Sequence, residues 1–179
     1  PYTTVFHLIN DIFHKAGVSA LLVGGYAVNF YKVCRQTADI DFLITREDFD
    51  KALPLFKKEG YEPEVVREIF ARLKNRKHPQ LLDIDFLFVD KKVLAQLIKD
   101  GQEMSIARQK YMVPDLMHLI AMKLHAIKQH PLARRLTDLP DIINLINRNK
   151  LNVKSISFKA LCLEYGTSEL YQELLKAVG

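Results

Sequence analysis

Leu21-Leu22-Val23-Gly24-Gly25-Tyr26-Ala27-Val28, and after it Arg35-Gln36-Thr37-Ala38-Asp39-Ile40-Asp41-Phe42-Leu43-Ile44, carry the most information in this chain. One apolar run enters a Gly-Gly pair, and the next carries two aspartates one residue apart. Residues i and i+2 of a strand share a face, so Asp39 and Asp41 are predicted side by side. Neighbouring carboxylates repel each other, and the surrounding Ile40, Phe42, Leu43 and Ile44 have no structural use for that repulsion. A hard divalent cation such as magnesium relieves it, because it takes carboxylate oxygens and holds phosphates too.

Upstream, Val5, Phe6, Ile9, Ile12, Phe13 and Ala16 recur at helical spacing and stop at Gly17. Ala20 to Val23 reads as a short buried strand. Gly24-Gly25 then turns the chain into a helix from Tyr26 to about Lys32, and Asp39 to Ile44 is the next strand. Thr45-Arg46-Glu47-Asp48 fits a capping box, with Phe49, Ala52, Leu53 and Phe56 on the buried face that follows and Pro54 within it.

Gly60-Tyr61-Glu62-Pro63 reads as a turn. Val65 to Leu73 suits a strand or a short helix, with the alternation of Glu68 to Leu73 favouring a strand, and Asn75 to Pro79 suits a hairpin turn. Leu81 to Val89 alternates strongly: Leu82, Ile84, Phe86 and Phe88 mark one face, Asp83, Asp85 and Leu87 the other. A helix over Lys91 to Asp100 and two small strands within Glu103 to Val113 complete a mixed α/β part. Pro114 opens a long amphipathic helix to about Gln129. Helices over 137–147, 158–165 and 167–178 follow. The expected organisation is an α/β part over 1–113 and a helical part over 114–179.

Nearly half of the 179 residues are hydrophobic and about a quarter charged, as in an ordinary globular protein. No apolar run approaches the roughly 20 residues that span a bilayer, and residues 1–10 lack the pattern of a secretory signal. A cytoplasmic location is expected. Cys34 and Cys162 form no CxxC pair and read as two buried thiols. His118 and His125 share a helix, but no third or fourth ligand accompanies them for zinc. The net charge of +5 suits an anionic partner such as a nucleotide or RNA. Two basic stretches, Arg67-Arg72-Lys74-Arg76-Lys77 and Arg134-Arg135, are candidate RNA contacts or simply solvated faces. Nothing points to DNA sequence recognition.

Three features combine into chemistry. Glycines at a helix start let backbone N–H groups approach phosphate, where the helix dipole is positive. Asp39 and Asp41 can hold two magnesium ions. A third acid on a later strand, Asp85 or Asp83, can ligate the second ion and draw a proton from an attacking hydroxyl. That is the two-metal arrangement for in-line phosphoryl or nucleotidyl transfer.

Gly-Gly, a short helix, Asp-x-Asp on a strand and a later strand acid resemble the nucleotidyltransferase superfamily of DNA polymerase beta. Leu22 to Val28 and Arg35-x-Thr37-x-Asp39-Ile40-Asp41 are most similar to its small prokaryotic branch of minimal and abortive-infection toxin-type enzymes. Gly60-Tyr61, Ile84 to Phe88, Leu119 to Ala126 and Arg135-x-x-Asp138-x-x-Asp141 match the same layout. The resemblance implies an α/β (α+β) nucleotidyltransferase fold, a mixed sheet flanked by helices with a helical C-terminal part that closes over the nucleotide.

It implies transfer of a nucleoside monophosphate from an NTP to a hydroxyl of tRNA, a partner protein or a small molecule, in a toxin–antitoxin or phage-defence setting. Asp39, Asp41 and Asp85 would be the catalytic and magnesium-binding acids, with Asp85 preferred over Asp83. Gly24 and Gly25 would cradle phosphates, and Arg35 and Thr37 border the pocket. Lys123 would reach the phosphates, with Asp138 and Asp141 near it. Tyr26 departs from the Ser or Thr that many members place beside the glycines. A catalytically silent module that keeps the fold is the alternative. A glycosyltransferase that uses Asp-x-Asp requires neither the Gly-Gly turn nor the third acid.

Overall fold

The computed structural model describes residue 2 and residues 4–178. They form two compact units: residues up to Ala27 with Gln36–Asp115, and Val28–Arg35 with the chain from Leu116.

In the first unit, α1 (Val5–Ala16) begins where the Thr4 side chain accepts from the His7 N–H and ends at Gly17, whose φ of 62° is the left-handed cap. Strand β1 (Leu21–Leu22) leads into α2 (Gly24–Phe30), which crosses into the second unit after Ala27. Strand β2 (Asp39–Ile44) follows. Helix α3 (Arg46–Lys58) is capped by the Thr45 hydroxyl accepting from the Asp48 N–H. Pro54 lies within α3 without ending it, because Phe49, Ala52 and Phe56 bury one face and outweigh the lost hydrogen bond.

Next come β3 (Tyr61–Val66), β4 (Phe70–Asn75), β5 (Asp83–Phe88), α4 (Lys91–Asp100), β6 (Gln102–Ile106) and β7 (Gln109–Val113). The sheet order is β3-β4-β5-β2-β1-β7-β6. Strand β2 is parallel to β5 and β1 to β7, while the remaining neighbours are antiparallel. The sheet is therefore mixed.

Of residues 60–63 only Gly60, with a φ of 88°, lies in a turn. Tyr61 opens β3, an edge strand, where Pro63 is tolerated because an N–H directed away from the sheet needs no partner. A register shift between Pro63 and Val65 absorbs the irregularity. Residues 65–73 hold the end of β3, a tight reversal and the start of β4 rather than one strand.

The two faces of β2 and β5 differ by their period of two. Ile40, Phe42 and Ile44, with Ile84 and Phe86, are buried. Phe86 lies 5.2 Å from Phe49, 5.7 Å from Phe56 and 6.1 Å from Phe42 between ring centroids, and Phe13 lies 5.1 Å from Phe42. These aromatics fix the two strands from behind and turn Asp39, Asp41, Asp83 and Asp85 to the other face.

The second unit packs α5 (Leu116–Gln129), α6 (Pro131–Asn149), α7 (Ile156–Tyr165) and α8 (Ser168–Val178) around Leu124, Ile142, Leu145, Ile146, Phe158, Cys162 and Leu174. Helix α6 starts at Pro131, a turn and a half before the expected Thr137; its first residues are exposed and give no periodic burial signal. The Asn149 amide ties Val28–Arg35 to this unit by donating to the Tyr31 carbonyl at 3.0 Å. Both cysteines are free thiols, but only Cys162 is buried; Cys34 is exposed.

Candidate active site

Asp39 and Asp41 sit two apart on β2, and the parallel pairing sets Asp41 directly opposite Asp85. Each of Asp39, Asp41 and Asp85 offers a carboxylate oxygen, and these oxygens all lie within 4.8 Å of one another. The donor set is carboxylate oxygen alone, with no thiolate or imidazole, which suits a hard cation such as magnesium. It is the one cluster of potential metal ligands among the described residues, so His118 and His125 stay outside any such group. Asp83, opposite Asp39 in the same ladder, is not part of it; its carboxylate lies 3.9 Å from the Lys74 ammonium.

Gly24 and Gly25 make room for this cluster. A Cβ on Gly24 would stand 1.9 Å from Asp41 Oδ2, and the Gly24 φ of +62° is one that other residues rarely adopt. A Cβ on Gly25 would stand 2.7 Å from the Thr37 side chain. The Thr37 hydroxyl donates to the Asp39 carbonyl at 2.9 Å and so steadies the start of β2. The Tyr26 ring packs edge-on against Phe6 at 5.0 Å. Burial, and after it the nearby Asp39 charge, pushes the Tyr26 phenol above its ordinary range.

A basic residue outside the expected set of acids completes the cluster. Arg72, on β4, lies opposite Asp85 in the antiparallel pairing. Its Nε donates to Asp85 Oδ1 and its Nη2 to Asp85 Oδ2, each at 2.6 Å, and Nη2 also reaches Asp39 Oδ2 at 3.3 Å. The hydrogen bonds to Asp85 hold the guanidinium still more firmly in its charged form. Only with β4 and β5 joined as a hairpin through 76–82 in this register does Arg72 fall opposite an acid, and the sequence of that loop does not set the register. Three more residues of that basic stretch are also engaged. Lys74 and Arg76 each lie 3.7 Å from Glu64, and the Lys77 ammonium donates to the Lys58 carbonyl at 3.2 Å.

In the second unit, Lys123 on α5 is buried, with its ammonium 2.7 Å from Asp138 and 2.8 Å from Asp141, both on α6. It does not snorkel to the surface. Arg35 donates to Asp141 at 2.5 Å and keeps a third of its side chain exposed, while Arg134 approaches Asp138 at 3.9 Å. Arg135 pairs with Glu173 on α8.

A family model described as an uncharacterised nucleotidyltransferase matches residues 3–177. No curated protein matches the chain at a comparable level. Among solved structures, ANT(2″)-Ia in complex with adenylyl-2″-tobramycin is similar at a TM-score of 0.65 and 14% identity, covering 90% of this chain and 94% of that one. An antigenic nucleotidyltransferase-like protein from Paracoccidioides brasiliensis is similar at 0.58 and 18% identity, covering 96% and 88%. The lincomycin-bound lincosamide adenylyltransferase LnuA is similar at 0.53 and 18% identity, covering 76% and 91%. At these identities the structures share a fold with this chain.

Proposed function

The chain belongs to the nucleotidyltransferase family whose model spans residues 3–177, and from that premise we propose that it moves a nucleoside monophosphate from an NTP to a hydroxyl acceptor and releases pyrophosphate. The observation that carries this reading is the convergence of Asp39, Asp41 and Asp85 within 4.8 Å on one sheet face.

Asp39, Asp41 and Asp85 are the proposed ligands of two magnesium ions. Bound there, magnesium would neutralise the triphosphate and the charge that develops during in-line transfer. The chain's own part is to hold the reacting groups in place. Asp85 is assigned the proton of the attacking hydroxyl. Gly24 and Gly25 let the backbone come close to phosphate, and Thr37 fixes the β2 entry beside them. Arg35 is the proposed basic contact for the nucleotide. The Lys123 ammonium is committed to two buried carboxylates, so we assign it the support of Asp141, which in turn holds Arg35. In this reading residues 1–113 carry the chemistry and 114–179 form the supporting helical part.

The acceptor is a hydroxyl of tRNA, a protein or a small molecule, in a toxin–antitoxin or phage-defence setting of the cytoplasm. No described helix is long and apolar enough to cross a membrane. The antibiotics bound to two of the similar structures bring aminoglycosides and lincosamides into the acceptor panel.

The test is incubation with each α-labelled NTP, magnesium and, in turn, total tRNA, tobramycin, lincomycin and cell lysate. Wild type should transfer label, EDTA should abolish transfer, and Asp41→Asn should lower it by about a hundredfold or more. Equal labelling by both proteins, or none by either, would favour the silent module instead. Arg72, whose fork spans both oxygens of Asp85, is the feature that speaks for that second reading.

A further inference from the structure

Three carboxylates within 4.8 Å of one another repel, yet the fold brings them together. Hydrogen bonds cannot settle this alone, since ionised carboxylates only accept. The compensation is visible in Arg72. Its planar fork matches Asp85 oxygen for oxygen at 2.6 Å, and the same Nη2 extends to Asp39 at 3.3 Å. Each partner is held in place from behind. Asp39, Asp41 and Asp85 alternate with Ile40, Phe42, Ile84 and Phe86 of the aromatic core, and Ala71 and Leu73, on either side of Arg72, are fully buried. Strand register thus sets Arg72 opposite Asp85, and the two short bonds to that carboxylate hold the guanidinium there.

We propose that Arg72 is a resident counter-cation of the carboxylate cluster, which balances it while no divalent ion is bound and opposes the binding of one. The inference rests on the reading of Asp39, Asp41 and Asp85 as metal ligands. The two contacts differ in kind. The hold on Asp85 is bidentate and short, so Arg72 orients that carboxylate while the cluster is unloaded. The contact with Asp39 is single and long, and it is the one that Arg72 gives up when the cluster is loaded. Arg72 is therefore a positioning residue. It makes occupancy of the site depend on cation supply, and on a bound triphosphate that brings its own negative charge, since each moves the local balance of charge back toward the cation.

The test uses the full chain and Mn2+ as the probe, followed by titration calorimetry and by the Mn2+ electron paramagnetic resonance signal. Removing a positive charge a few ångströms from the cation site should tighten Mn2+ binding to Arg72→Met by about tenfold or more over wild type without nucleotide. Arg72→Lys keeps the charge and loses the fork, and should bind with intermediate affinity. Without added metal Arg72→Met should melt below wild type, and Mn2+ should raise its melting temperature by more than it raises that of wild type.

Mn2+ affinity of Arg72→Met equal to or weaker than wild type would overturn the proposal and leave the metal site intact. If neither protein binds Mn2+ at this cluster, with or without a non-hydrolysable NTP, the reading of the cluster as a metal site falls and this inference with it. Asp41→Asn, made in both backgrounds, separates the cluster from surface binding, because its loss should abolish the signal in each.

Discussion

A glycine can be demanded by a neighbour rather than by its own bend. Gly24 combines a φ of +62° with a Cβ direction that ends 1.9 Å from Asp41 Oδ2, so a side chain there must displace the carboxylate. Gly24→Ala should lose about 2 kcal/mol of stability, from left-handed strain and the collision together, and should lose Mn2+ binding as well. Urea denaturation and calorimetry would measure both; an alanine variant with wild-type stability and wild-type metal affinity would refute the argument. The sequence allowed the pair to be read as a phosphate cradle, and the close approach of Asp41 adds a steric reason for it. Arg72 was legible only as one more base in a basic stretch. Its partner depends on which residue of β5 it faces, and that is settled by a hairpin register that the loop over 76–82 does not announce.

At the level of elements, strong periodicity was readable and exceptions to it were not. Alternation along 81–89 placed the apolar and acidic faces of β5, and the Thr45 cap marked the start of α3. Tyr61–Val66 is hidden in the sequence because Gly60 ends a turn just before it and Pro63, inside it, is a turn residue that a strand tolerates at a sheet edge. The start of α6 was missed because its first turns bury nothing.

Helices α5 and α6 are joined by a buried charge cluster, in which Lys123 serves two carboxylates at 2.7 and 2.8 Å. Breaking such a cluster from one side leaves buried charge without its partner. Lys123→Met should cost about 3 kcal/mol, with Arg35 still pairing with Asp141 and softening the loss. Adding Asp138→Asn should return part of that stability. Urea midpoints at constant slope would measure the pair; an unchanged midpoint for Lys123→Met would show that the cluster contributes nothing.

For the molecule as a whole, the division of the chain is not the division of the sequence. Residues 28–35 leave the α/β unit, join the helices, and are anchored there by Asn149 on Tyr31 and by Asp141 on Arg35. Composition changes at Pro114 and gives no sign of this excursion, because eight residues are too few to show a character of their own. A fragment ending at residue 115 would keep the three acids and strip 28–35 of these anchors. It should unfold broadly, with near-ultraviolet circular dichroism weaker than native, whereas a sharp two-state melt with a native spectrum would show that the α/β unit is self-sufficient.

The sheet has two borders, and they are finished differently. Strand β3 carries Pro63, a register shift and the charges of Glu62 and Glu64, features that deter a second chain from docking its backbone there. Strand β6 lacks proline over Gln102–Ile106, and its single charge, Glu103, already pairs with Lys110. Self-association of the folded protein at high concentration would therefore start along β6, and a lysine placed in that strand would be the simplest way to keep concentrated samples from polymerising.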